Sequence, residues 1–213
     1  MGVPNSNSNK ERTDMFKNWS LPKVIPYILI IAGIVGIISA FAISVDEIKI
    51  LQNPNYKPIC DINPIISCGN VMQSKEASAF GFPNPYIGLA AFGSLLTVGV
   101  GMLAGAKFKR WFWLGLEAGS VFGIGFVHWL FFESVYRINA LCPYCMTVWV
   151  ITIATFWYVT LYNIDQGNIK LPIKLKGFYG FVRKHHLDIY IAWILIIAAL
   201  ILKHFWYYYG RYI

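Results

Sequence analysis

Four cysteines carry the chemistry this sequence offers: Cys60, Cys68, Cys142 and Cys145. Cys142-Pro143-Tyr144-Cys145 is a C-x-x-C, and Pro143 suits the first position of a helix, where a missing N–H costs nothing. That places Cys142 at or near the N-cap and Cys145 one turn in. Unpaired N–H groups and the positive end of the helix dipole stabilise a thiolate there, making it a good attacking or leaving group. Zinc ligation is the rival chemistry for such a pair. Cys60 and Cys68 form a second pair, for which a purely structural disulfide is the alternative to redox exchange.

The elements that must position these sulfurs are membrane helices. Hydrophobic residues make up 57% of the 213-residue chain and charged residues 13%, and mean hydropathy is +0.53. A soluble domain is about 45–50% apolar and about 25% charged, so a water-soluble globule and a disordered chain are both excluded. Five apolar blocks, about 24–45, 85–106, 111–132, 141–162 and 188–207, each approach the roughly 20 residues that span a bilayer. Helices are the open-ended structures that satisfy their backbone in lipid. The expectation is an all-α integral membrane protein. Residues 1–22 read as a polar tail, 46–84 as a long loop, 163–187 as a basic link, and 188–213 as a fifth transmembrane helix with a short tail. A cleaved signal ending near Ala40-Phe41-Ala42 is disfavoured, because the apolar run is too long and starts too late. The Cys142–Cys145 string also matches the glutaredoxin active site, but that fold needs strands and a βαβ unit, which these blocks do not supply.

Charge sets the orientation. Of the 18 Lys and Arg residues, twelve lie in the tail, the second link and the fourth link, and six on the opposite side. The positive-inside rule then predicts a cytoplasmic N-terminus and an outside C-terminus. The net charge of +8 is accounted for by this topology, so no nucleic-acid partner is expected. All four cysteines fall on the outer face, where disulfides persist. Two pairs there form a redox arrangement, in which thiol–disulfide exchange can pass electrons between a soluble protein and a lipid-soluble molecule.

Glu117 and His128 are the ionisable residues inside the third block and share one helix face. His128 falls near the depth of the motif cysteines, where it either handles a proton for the lipid-soluble molecule or is an interfacial histidine hydrogen-bonded to a loop; Glu117 reads as structural. Gly115, Gly119 and Gly123 repeat every four residues, as expected for close helix approach. Trp206 and Tyr207–Tyr209 read as interfacial anchors. His185-His186 reads as part of the basic link, and no metal site is expected there.

In this setting the chain resembles the vitamin K epoxide reductase family, including its bacterial disulfide-forming members. The resemblance rests on Cys60 and Cys68 separated by seven residues, Ser74 six after Cys68, the span order, and the C-x-x-C opening the fourth span. It implies a four-helix catalytic bundle over residues 23–162 around a quinone, capped by the outside loop, in a plasma (inner) membrane. It further implies ubiquinone or menaquinone as acceptor and a reduced thioredoxin-like oxidase as substrate. Since the chain stops after its fifth span, that partner is expected to be a separate extracytoplasmic protein. By the same resemblance, Cys60 exchanges with the partner, Cys68 attacks Cys142, and Cys145 is released facing the quinone. Ser74 matches a family position near the quinone; His128 and Trp149 are further candidates for binding it. The vertebrate branch has Thr-Tyr-Ala where this chain has Val148-Trp149-Val150, which argues against epoxide reduction. A vitamin K-type quinone or epoxide reductase is the second reading, and a thiolate metal-binding membrane protein the third.

Overall fold

The computed structural model describes residues 21–53 and 55–209. Among them every long element is a helix, and the single trace of β-structure is an isolated parallel bridge between Ile66 and Leu141. The helices are α1 (Leu21–Gln52), α2 (Cys68–Met72), α3 (Asn84–Leu103), α4 (Arg110–Phe132), α5 (Pro143–Asp165), α6 (Lys176–Lys184), α7 (His186–His204) and α8 (Trp206–Tyr209). A 3₁₀ turn at Lys75–Ser78 precedes α3, and α4 runs directly into a π-helical turn at Glu133–Ile138. Five of these, namely α1, α3, α4 with its π-turn, α5 and α7, are long and apolar enough to cross a membrane. The chain is an all-α membrane protein. The tail expected over residues 1–22 lies outside the described residues except for its last two.

Two boundaries differ from the sequence reading, for one physical reason. Helix α1 continues past Val45 through Asp46, Glu47 and Lys49 to Gln52. The segment expected as a loop after Phe132 is instead mostly the π-turn. Charge was taken as the end of a helix in both places. Charge ends an apolar span, but only Pro, Gly or an unmet backbone group ends a helix. The π-turn stops where Asn139 adopts a left-handed conformation, with φ 55°.

The bundle is an incomplete ring. Helix α3 packs on α1, α1 on α5, and α5 on α4, whereas α3 and α4 scarcely touch although only a short link joins them. Glycine permits the closest approach, that of α1 to α3. A Cβ on Gly33 would sit 2.6 Å from the Leu96 Cβ and 2.8 Å from its backbone nitrogen. The core away from the cysteines is built on Ile25, Leu29 and Val159, all fully buried. There the Trp113 and Tyr162 rings lie 4.2 Å apart between centroids.

Polar contacts fix the remaining pairs. Glu117 accepts hydrogen bonds from Thr160 Oγ1 at 2.7 Å and Asn163 Nδ2 at 3.0 Å, joining α4 to α5. Such bonds between membrane helices contribute about 0.6 kcal/mol each, enough to set rotation though not to drive association. Glu117 is therefore structural in its contacts. Helix α7 docks on the other side of α4 and α5. Trp193 Nε1 donates to His128 Nε2 at 3.1 Å, and His204 Nε2 meets Asn139 Oδ1 at 2.8 Å.

Candidate redox site

The site begins with backbone. Leu141 N–H donates to the Ile65 carbonyl at 2.7 Å, and Ser67 N–H donates to the Leu141 carbonyl at 3.0 Å. This bridge ties the residues just before Cys68 to the residue just before Cys142. The loop that approaches it is stiffened by its own side chains. Asn63 Oδ1 accepts from the N–H groups of Ile65 and Ile66 at 2.9 and 2.7 Å. Asp61 Oδ1 accepts from Gly69 N–H at 2.8 Å and Ser67 Oγ at 3.1 Å. Ser67 Oγ in turn accepts from Asn70 N–H at 3.2 Å and caps α2. Short polar residues bonding to nearby backbone are what hold an irregular segment in one shape.

Cys60 and Cys68 are joined in a disulfide, their Cα atoms 5.7 Å apart, while Cys142 and Cys145 are free thiols. All four sulfur side chains belong to one packed cluster with Ile43 and Met72. Cys68 and Cys142 are fully buried. Cys142 occupies the N-cap of α5 and Pro143 its first turn, as the motif predicts. Its side chain forms no capping hydrogen bond of its own. A hydrogen bond from the Cys145 thiol, and then the amides of Cys145 and Tyr144, nevertheless hold Cys142 below the ordinary thiol pKa. They prevail over burial and over the Asp61 carboxylate, which both oppose the charge.

Beneath the cluster lies a cavity of about 350 Å³ enclosed by α1, α3, α4, α5 and the loop. Cys145 is on its wall and Cys142 is not. Ser74 and Trp149 also line it. The Ser74 hydroxyl proton is committed to the Val71 carbonyl at 2.8 Å, which leaves its lone pairs for an accepted bond. Trp149 is buried edge-on against Phe131, with centroids 5.5 Å apart. His128 is not on this wall. Its Nδ1 meets the Ile124 carbonyl at 2.8 Å, and its Nε2 takes the Trp193 proton. A neutral imidazole with its proton on Nδ1 satisfies both bonds, so His128 fastens α7 instead of facing the cavity.

Gly115, Gly119 and Gly123 are on the wall too. A Cβ at Gly115 or Gly119 would meet nothing within 4 Å. The expectation of close helix packing holds at Gly123, where a Cβ would lie 3.3 Å from Thr152 of α5, and is corrected at Gly115 and Gly119, whose missing side chains are part of the cavity's volume. Sequence reasoning also passed over Glu133, a buried carboxylate on the same wall. The available signal was its i,i+4 spacing from Arg137, which marks a continuing helix. Among the described residues no group of three or more His, Cys, Asp or Glu side chains is placed to hold a metal. His185 instead pairs with Asp188 at 2.9 Å.

A bundle of membrane helices that packs a loop disulfide against a helix-capping dithiol, above an apolar cavity, defines a membrane redox protein. The sequence pattern of the vitamin K epoxide reductase family matches residues 27–160, which covers the four helices around the cavity and the loop. The chain belongs to that family, and it is an oxidoreductase. Vitamin K epoxide reductase complex subunit 1 of Rattus norvegicus is 23% identical over 169 residues, covering 74% of this chain and all of the relative. The corresponding subunit of Mus musculus is 25% identical over 150 residues, covering 65% of this chain and 89% of the relative. Enzymes of this family pass electrons to a quinone or to vitamin K. The site fits such a group: the cavity has the size and apolar walls of a small-molecule pocket, with a few polar groups converging on it, and one thiol reaches its wall.

Proposed function

We propose that this protein oxidises a reduced thioredoxin-like partner outside the cytoplasm and passes the electrons to a membrane ubiquinone or menaquinone, sustaining disulfide formation. The observation that carries the reading is the division of labour at the motif. Cys142 lies buried with Cys68 in the cysteine cluster, whereas Cys145 reaches the cavity.

The exchange balances as follows. A dithiol on the partner reduces the Cys60–Cys68 disulfide and leaves as the partner's own disulfide. The Cys68 thiolate attacks Cys142 of an oxidised motif, forming Cys68–Cys142 and expelling Cys145 as thiolate. Cys60 then attacks Cys68, restoring the loop disulfide and leaving the motif reduced. One disulfide in the loop and two thiols at the motif, as described above, is the state this step leaves. Reoxidation of Cys142 and Cys145 releases two electrons, and a bound quinone supplies the two-electron acceptor. Ser74, Trp149 and Cys145 would hold and face it. The seam between α3 and α4 supports entry from lipid, since no helix pairing closes it.

The test uses the full chain in proteoliposomes. A reduced thioredoxin-like oxidase should be reoxidised only when ubiquinone or menaquinone is present, and should be trapped as a mixed disulfide on Cys60 when its resolving cysteine is absent. A trap that forms equally well on Cys60→Ala would refute that role. Reporter fusions should place the N-terminus in the cytoplasm and the C-terminus outside, in the plasma (inner) membrane; a cytoplasmic C-terminus would strip the cysteines of their oxidising compartment. The second reading, reduction of a vitamin K-type quinone or its epoxide, draws on the names of the rat and mouse relatives. Turnover of a vitamin K epoxide by the dithiol-reduced protein would establish it.

A further inference from the structure

Glu133 is the one side chain on the cavity wall that combines deep burial with an unmet polar atom. Its side chain is 4% exposed, and its Oε2 is enclosed without a hydrogen-bond partner. Arg137, one turn on and 66% exposed, brings its Nε to 3.3 Å of that oxygen. This is close enough for charge attraction but lacks hydrogen-bond alignment. A carboxylate left in this condition is costly, so its retention calls for an explanation. The backbone marks the same spot. Glu133 opens the π-turn, a conformation that occurs mostly as single turns within helices and is frequent at functional sites. Glu133, Ser134 and Ile138 of this turn all line the cavity. Ser134 is already satisfied by donating to the Ala140 carbonyl at 2.7 Å. Glu133 thus belongs to the cavity wall while its Oε2 lies beside the exposed Arg137.

The chemistry proposed above has a proton to find. Oxidising the motif dithiol to a disulfide while reducing a quinone to its quinol requires two electrons and two protons at the cavity. Cys142 lies off the cavity wall and reacts as the attacking thiolate, so of the two motif thiols only Cys145 is placed to give a proton to the cavity, and the second comes from elsewhere. We propose that Glu133 is the proton-carrying residue of the quinone cavity, delivering that second proton inward and recovering it from water at the Arg137 end. This rests on the quinone-dependent reading of the site. The step balances: thiolate, thiol and carboxylic acid give disulfide and carboxylate, while two electrons and two protons end on the quinone. The other ionisable groups on the wall are Cys145 of α5, Glu47 of α1 and Glu76 of the 3₁₀ turn. Neither of those two glutamates is buried as Glu133 is.

The test uses the full-length protein with the short-chain quinone ubiquinone-1 and dithiothreitol as thiol donor. Glu133→Gln should slow quinone reduction about 10²-fold, the scale of a lost acid–base group, with reduction of Cys60–Cys68 by dithiothreitol unchanged. Formate should restore part of the rate to Glu133→Ala. Independently of turnover, infrared difference spectra between the dithiothreitol-reduced and oxidised quinone-free protein should contain a carboxyl band that shifts in Glu133→Asp and vanishes in Glu133→Gln. Wild-type quinone reduction by Glu133→Gln, or a difference spectrum with no carboxyl band that responds to Glu133 substitution, would overturn the assignment and leave the quinone-dependent reading intact. A wild-type protein that reduces no quinone would overturn both.

Discussion

Cys68 and Cys142 each follow directly on one end of the same hydrogen bond, the 3.0 Å contact from Ser67 N–H to the Leu141 carbonyl. The pairing of loop and motif is thus fixed by main chain, and it holds whichever bonds the sulfurs themselves make. With Cys60 and Cys145 both replaced by Ala, the remaining cysteines should oxidise to a Cys68–Cys142 disulfide, detected by non-reducing peptide mapping. The converse pair, Cys60 with Cys145, should cross-link far less. Equal yields would mean that the loop wanders and the bridge does not direct the exchange.

Ligand protection should separate the two motif thiols. In Cys142→Ala, ubiquinone-1 should slow alkylation of Cys145, which is on the cavity wall. In Cys145→Ala it should leave alkylation of Cys142 unaffected. Protection of Cys142 instead would reverse their roles.

The lowered pKa of Cys142 gives a pH signature. Its alkylation in the reduced protein should persist as pH falls below the ordinary thiol range, about 8.5. Cys145→Ala removes the hydrogen bond that is the largest cause of the shift, and should move the midpoint upward. The sign for stability follows from the depressed folded-state value. Charge on Cys142 stabilises the reduced fold fully above the ordinary thiol pKa, and this contribution is lost as pH falls through the lowered one. A midpoint indifferent to Cys145 would contradict the contact.

Two glycines of different kinds should behave oppositely. Gly119→Phe fills open cavity, so quinone reduction should be lost while thiol exchange at Cys60–Cys68 and thermal stability are kept. Gly33→Ala drives a methyl into the Leu96 backbone and should cost about 1–3 kcal/mol of stability, read from thermal unfolding in detergent. A stable Gly33→Ala would show that α1 and α3 can separate without loss.

His128→Ala should leave quinone kinetics unchanged across about pH 5 to 8, because His128 is absent from the cavity wall. It should instead loosen α7, raising proteolysis in the link before that helix. A pH-dependent loss of quinone reduction would return His128 to the chemistry.

Much of this was legible in the residues. Hydropathy located the five spans, and Pro143 placed Cys142 at the head of α5, because span length and helix-start chemistry are local. The failures were of contact, which is not local. Periodicity put Gly115, Gly119 and Gly123 on one face of α4 but could not say whether that face met a helix or a void. The same blindness left His128 off the cavity wall, since rise per residue sets position along a helix and only what packs alongside sets azimuth. Glu133 was passed over because its burial depends on the π-turn, which has no simple sequence signature.

The Ile66–Leu141 bridge also constrains how the molecule comes into being. Its two halves are separated by the second and third spans, so during synthesis the Cys60–Cys68 loop is complete well before the C-x-x-C has been made. Until Leu141 arrives and the fourth span threads home, the nascent chain has no path from loop to acceptor. On the proposed function a half-inserted protein is therefore electrically silent: it can exchange thiols with what surrounds it, but it cannot pass electrons to a quinone.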